Sequence, residues 1–219
     1  MCGRYSLTIS PEDIIENFLI DEFLVDDWSP RFNIAPSQMV LGAVEHAGKR
    51  RAGYFRWGLT PSWVKETSNW KPLINARSET MDEKSSFKHL VNKRRCVIFA
   101  DGFYEWKKEN GKRVPVRFVK LDRKPFAFAG LWDKSHTQSH PTCTIITTSP
   151  NNIVSPIHNR MPAIIQNEQL SFWLDHQNDF EQLKSLLEPF PSDKMISYDV
   201  SPQVNSPRVD HPSLIEMVE

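Results

Sequence analysis

Nine short runs of strand-forming residues, each bounded by turn residues, constrain this chain more than any other feature. They fall at residues 5–8, 39–44, 52–58, 95–100, 103–107, 114–121, 125–132, 142–148 and 161–166. Asn110 and Gly111 stand between the fifth run and the sixth, a pair that favours a tight two-residue hairpin and places Glu105 on a strand. Helical patterning is confined to three places. Ser10, Pro11 and Asp13 mark a helix start, with Ile14, Ile15, Phe18 and Leu19 on one apolar face. Residues 78–92 and 167–187 also carry helical spacing, the latter through Leu170, Trp173, Leu174, Leu183 and Leu187. From about residue 201 an extended tail is expected against the body. Sixteen prolines against eight glycines indicate stiff loops, and no break in composition divides the 219 residues, so one domain is expected.

No run approaches 18 apolar residues, and Pro11, Glu12 and Asp13 interrupt the start where a signal peptide would be apolar. A cytoplasmic protein is expected, with no membrane partner. Cys2, Cys96 and Cys143 are odd in number and far apart, which suits neither a disulfide framework nor a zinc site. His136 and His140 lie in a polar stretch without a third ligand, so no metal is expected there. The net charge is zero, yet its distribution is uneven: residues 58–120 hold 14 Lys and Arg against 7 Asp and Glu. An excess of this kind is either a solvated face or one basic face for nucleic acid.

Four segments carry chemistry. In Met1-Cys2-Gly3-Arg4, removal of Met1 leaves an α-amine and a thiol on one residue. An α-amine has a pKa of about 8 against about 10.4 for lysine, so near neutral pH about a quarter of it is free to attack an aldehyde. The neighbouring sulfur then closes a five-membered thiazolidine. Taken alone, Cys2 reads first as a cysteine near a frayed end. In the second segment, residues 73–80, Asn75 and Arg77 alternate on one side of an extended run, an amide and a phosphate-binding fork pointing together. Arg77 and Glu79 are equally readable as a surface ion pair. Glu105, among the aromatics of Asp101-Gly102-Phe103-Tyr104-Glu105-Trp106, is either a carboxyl whose pKa desolvation raises toward proton-transfer range or a strand glutamate facing water. His158, in Ile157-His158-Asn159-Arg160-Met161-Pro162, follows a loop and is either a base or a hydrogen-bonded loop residue.

Together these segments resemble the SRAP (SOS response-associated peptidase) family, as do Arg31-Phe32-Asn33-Ile34-Ala35-Pro36, Trp57-Gly58-Leu59-Thr60-Pro61-Ser62-Trp63, Ser86-Phe87-Lys88, Arg95-Cys96 and Thr147-Thr148. Asn159 stands where the family often has Asp, and Pro150 where a small residue is usual. The resemblance implies an α+β fold: one β-rich domain, mostly antiparallel strands in a barrel-like sheet with a few peripheral helices. It implies a cleft for single-stranded DNA, or its junction with duplex, and covalent capture of abasic sites by Cys2. Asn75 would hold the terminus and the sugar, and Glu105 and His158 would move protons. Arg4 and Arg77 would grip phosphates, with Asn33 and Arg160 also on the DNA. Trp63, Trp70 and Trp57 are candidates to stack on a base, although Trp57 and Trp63 read equally well as wall or core. The reaction calls for no cofactor. The family label adds self-removal of Met1 or lyase-type reversal, and a monomer that joins the nucleoid on DNA is the default. Rival readings are a class II glutamine amidotransferase, which lacks its glutamine signature here, a thiol peptidase built on Cys2, His158 and Glu105 or Asn75, and a non-covalent reader of modified or single-stranded DNA.

Overall fold

The chain is described by a computed structural model over residues 2–65, 69–135 and 139–218. Its elements run β1 (Tyr5–Leu7), α1 (Pro11–Phe18), β2 (Glu22–Phe23), β3 (Arg31–Ile34), β4 (Met39–His46), β5 (Lys49–Trp57), β6 (Asn75–Arg77), β7 (Arg95–Ala100), β8 (Gly102–Glu109), β9 (Lys112–Lys120), β10 (Phe126–Asp133), β11 (Thr142–Thr148), β12 (Met161–Pro162), β13 (Ile164–Ile165), α2 (Leu170–Leu174), α3 (Phe180–Leu183) and β14 (Met195–Asp199). Sheet predominates, and the strands are largely antiparallel. One sheet has the order β14-β9-β8-β1-β3; the other runs β12-β11-β10-β7-β4-β5-β2. Parallel pairing of Thr142 with Arg56 and Cys143 with Trp57 brings β11 back onto β5, so the second sheet curls into a nearly closed barrel.

Local chemistry explains the better-defined elements. Ser10 caps α1 by accepting the Asp13 N–H at 3.1 Å, and Ile14 and Phe18 bury the inner face. Asn110 and Gly111 take φ of 50° and 74°, the paired positive values that a two-residue hairpin turn requires between β8 and β9. Inside the barrel, a Cβ on Gly42 would lie 2.2 Å from the Val97 carbonyl oxygen, so the close approach of β4 and β7 needs glycine there.

Several expectations are corrected. Residues 78–92 form separate turns rather than a continuous helix, with N–H donors reaching back alternately three and four residues. Ser78, Thr80, Asp82, Ser85 and Ser86 offer competing polar groups there, while Met81, Phe87, Leu90 and Val91 still face the core. The 167–187 stretch breaks into α2, α3 and flanking 3-10 turns, because Asp175 accepts the Gln177 N–H at 2.9 Å and turns the chain. The tail is not simply extended: Pro202–Asn205 and Pro212–Ile215 are 3-10 turns that bury Val204 and Leu214 against Tyr104 and Val200. The 161–166 run is two short strands, β12 and β13, on different partners. Strands β2, β3 and β14 were not expected from pattern.

The N-terminal strand is fixed by a buried polar cluster. Asp101, between β7 and β8, accepts from Ser6 Oγ at 2.6 Å, Thr8 Oγ1 at 2.6 Å and the Arg117 guanidinium at 2.9 Å. Every member is paired, which is what allows a buried charge to persist. This cluster holds β1, and with it the residues that precede it, against β8.

Candidate functional site

Cys2 is fully buried where the chain enters β1. Burial pushes its thiol well above the usual range, and the charge of Glu105 pushes it further, so the sulfur is held as a neutral thiol. Met1 lies outside the described residues. Alongside on β8, Glu105 is 4% exposed. Desolvation raises its carboxyl to about 7, with the positive charge of Arg113 pulling the other way. The His158 Nδ1 lies 4.0 Å from Glu105 Oε1. Desolvation lowers the pKa of His158. The Arg160 main-chain N–H and carbonyl both lie 3.1 Å from the same Nδ1, so the Arg160 backbone orients the ring.

The far end of β11 assembles the rest of the site. On one edge β6 runs parallel to it, with Arg77 beside Thr147; on the other, β12 pairs Pro162 with Thr147. Ser78 N–H and the Arg160 guanidinium both donate to the Thr147 carbonyl, so the Asn75–Arg77 strand and the His158 loop are tied to one residue. Ala76 is buried between Asn75 and Arg77, which therefore share the opposite face. Asn75 Nδ2 reaches the Ile145 carbonyl at 3.4 Å, while its Oδ1 is buried with no donor among the described residues. An acceptor in that condition is costly unless a ligand supplies an N–H or O–H. Arg77 is exposed, and its side chain has no ion pair or hydrogen bond among the described residues.

Other candidate residues sit differently from expectation. Asn33 is fully buried: its Oδ1 accepts from Arg4 at 2.7 Å, and its amide donates to the Ser206 and Val209 carbonyls at 2.9 and 2.7 Å. It stands behind Arg4 rather than on an open surface. Arg4 also donates to the Val204 carbonyl and lies 5.7 Å from the Trp106 ring centre. Arg160 is clamped by Glu79 through contacts of 2.6 and 2.9 Å, so Glu79 pairs with Arg160 and not with its near neighbour Arg77. Trp57 is a core residue, 0% exposed, its indole N–H on the Ile74 carbonyl. Trp63 and Trp70 meet edge to face at 5.4 Å, and Trp63 is 56% exposed. Their loop is anchored by the reciprocal bonds of Leu59 and Leu73 and by Ser62 N–H on Asp133. His136 lies outside the described residues. The roles of Glu79 and Trp106 escaped sequence reasoning, because their partners, Arg160 for the one and Arg4 and Asn205 for the other, are distant in the chain.

A buried thiol at the entry to the first strand, a desolvated carboxyl and a histidine beside it, all on a mostly antiparallel, curled sheet, define a protein with a cysteine–glutamate–histidine cluster at the head of its first strand. The family model for SOS response associated peptidase (SRAP) matches residues 1–207, and the chain belongs to that family. Among its relatives is the abasic site processing protein YoqW of Bacillus subtilis, 45% identical over 99% of both chains. The abasic site processing protein YedK of Escherichia coli is 30% identical over 80% of this chain and 79% of its own. In structure the chain is similar to a protein from Bacteroides thetaiotaomicron, with a TM-score of 0.84, 24% identity and full coverage of both chains. A Bordetella bronchiseptica protein aligns with a TM-score of 0.78 at 25% identity, over 91% of this chain and 100% of its own.

Proposed function

We propose that this chain is a DNA-damage protein, a single domain acting as a monomer, that captures abasic sites in single-stranded DNA through a thiazolidine on Cys2. The observation that carries the reading is the grouping of the Cys2 thiol, a Glu105 carboxyl with a pKa near 7 and His158 within 4.0 Å of it. The names of the relatives, abasic site processing proteins, point to the same substrate.

The chemistry balances without a cofactor. Once Met1 is removed, the Cys2 α-amine adds to the aldehyde carbon of the ring-opened sugar, giving a carbinolamine. Its hydroxyl leaves as water with a proton from Glu105 or from His158, and a C=N bond remains. The thiol then adds across that bond: sulfur joins the carbon, and its proton, passed through the Glu105 carboxylate, ends on nitrogen. One water is lost overall. The unpartnered Oδ1 of Asn75 is suited to accept from the amine or a sugar hydroxyl. Exposed Arg77 is suited to a flanking phosphate, and the Trp63–Trp70 pair to stacking on a neighbouring base. Such a site favours an N-terminal amine as first nucleophile. It disfavours a thiol peptidase acting on other proteins, since a buried thiol beside a carboxylate yields little thiolate.

Intact-mass measurement after mixing the protein with a single-stranded oligonucleotide bearing one abasic site tests this. The expected product lacks Met1 and gains the oligonucleotide minus one water. Cys2→Ser should give only an imine, visible after borohydride reduction and lost on dilution without it. A wild-type protein that keeps Met1, or shows no added mass, overturns the proposal.

A further inference from the structure

At the end of β9 farthest from the Asn110–Gly111 turn, the chain builds a separate cleft that takes no part in the chemistry above. From Val116, which faces Glu105 in the register, to Lys120 at the cleft, the strand rises about 13 Å. The cleft holds about 450 Å³, and Phe126, Ile164, Ile165 and Phe190 line it. Pairing of β13 with β10, Ile165 opposite Ala127, brings three of these together, and all four belong to the main core, so the apolar floor is fixed by packing. Lys120, Lys124 and Lys194 also line it. Asp122 is already taken, by the Lys120 ammonium at 3.2 Å and by the Lys124 main-chain N–H at 3.0 Å. Lys124 and Lys194 are exposed and close no salt bridge among the described residues, while the 164–168 wall carries one acid, Glu168. The turn that bears Lys124 is held in place. Leu121 N–H donates to the Lys194 carbonyl at 2.9 Å, and Arg123 N–H to the Lys120 carbonyl at 3.0 Å. Arg123 takes a φ of 59°, a left-handed conformation uncommon for arginine, and its guanidinium lies 5.3 Å from the Tyr198 ring centre. This fixed turn leaves Leu121, another lining residue, 57% exposed.

We infer that this cleft docks a partner protein through an acidic, extended segment carrying a leucine, isoleucine or phenylalanine anchor. The anchor lies on the phenylalanine and isoleucine floor, a neighbouring apolar residue covers Leu121, and carboxylates of the segment reach Lys124 and Lys194. Charge complementarity selects the acidic segment, because a basic one would set cations against these lysines. A small carboxylate would fill the cleft yet leave Leu121 bare, which favours a chain segment. The site stands independently of the Cys2 reaction, since its distance along β9 leaves it open while DNA occupies the other end.

The test uses the full chain and the fluorescence anisotropy of a labelled synthetic peptide, a run of aspartates followed by leucine and phenylalanine. Binding should weaken with added salt, and should be lost when the aspartates become asparagines or the two apolar residues become alanines. Lys124→Gln with Lys194→Gln removes two exposed pairs and should weaken binding by about threefold to tenfold. Leu121→Ser removes apolar contact without touching charge and should weaken it severalfold. Lys84→Gln with Lys93→Gln, an equal loss of exposed charge outside the cleft, should leave it unchanged. The cleft variants should melt as wild type does and crosslink abasic DNA at the wild-type rate. No binding by wild type, equal binding of the alanine peptide, or an equal loss in the control variant overturns the docking site. Displacement of the peptide by undamaged single-stranded DNA would make the cleft a nucleic-acid surface. Self-association of the protein alone, abolished by Leu121→Ser, would make the occupant a second copy. Either result overturns the partner.

Discussion

Glu105 joins stability to chemistry in a single side chain. Burial holds its carboxyl near 7, against an ordinary value near 4.5, so the folded state binds its proton more tightly than the unfolded chain does. The favourable contribution is complete below about pH 4.5 and is lost as pH rises through about 7, a difference on the order of 3 kcal/mol. Glu105→Gln keeps the shape and removes the ionisation. Its urea midpoint, relative to wild type, should therefore rise between about pH 5.5 and pH 8.5. In the proposed reaction the carboxylate must take the thiol proton, so the wild-type crosslinking rate should climb through about pH 7. The variant should be slower by about 10²-fold or more and lack that limb. If the glutamine variant retains the wild-type profile, Glu105 is not the base. Much of this residue's environment was legible, because aromatic neighbours on a strand announce desolvation. The burial of Asn33 was not, since the groups it satisfies belong to residues 204–209, far along the chain.

At the level of elements, the His158 loop is held by a contact that no local pattern reveals. Glu79, just after β6, grips Arg160, just before β12, and the Arg160 N–H orients His158. The pair is 81 residues apart in sequence, and it becomes a neighbour pair only because β6 and β12 flank the same end of β11. Glu79→Gln keeps a hydrogen-bonding oxygen but loses the charge. The partly exposed pair is worth up to about 1 kcal/mol, so release of Arg160 should tighten low-salt binding of undamaged single strands by no more than about fivefold. Crosslinking of saturating abasic DNA should slow at the same time, because His158 loses its orientation. Filter binding and single-turnover crosslinking separate the two effects, and a variant that weakens binding would contradict the clamp. The hairpin at Asn110 and Gly111 was legible because its turn chemistry is wholly local. The 78–92 segment misled because its apolar residues recur at helical spacing while its serines, threonine and aspartate favour separate turns.

Across the whole molecule, the C-terminal segment completes the wall on which Arg4 is mounted. Leu214, fully buried with Tyr104, Val200 and Val204, anchors a 3-10 turn some two hundred residues from the N-terminus. Val204 in turn presents the carbonyl that receives the Arg4 guanidinium, and Asn33 joins the two by bonding to both Arg4 and the 206–209 backbone. Burial of Arg4 among these groups lowers its pKa, the sign of a cation placed by the fold rather than trailing in solvent. Sequence pattern suggested a tail lying on the body, but not that its packing bears on where the arginine just before the first strand points. Leu214→Ala leaves the barrel core untouched and opens a cavity in the smaller cluster, at a cost of about 2–4 kcal/mol. If the segment only adds stability, the variant should melt earlier and, below its melting point, bind single-stranded DNA as wild type does. If it also positions Arg4, binding should weaken severalfold at a temperature where the variant is fully folded by circular dichroism. Pairing the substitution with Arg4→Ala decides between them: the geometry requires the two losses in DNA affinity to be less than additive, because both remove the same contact.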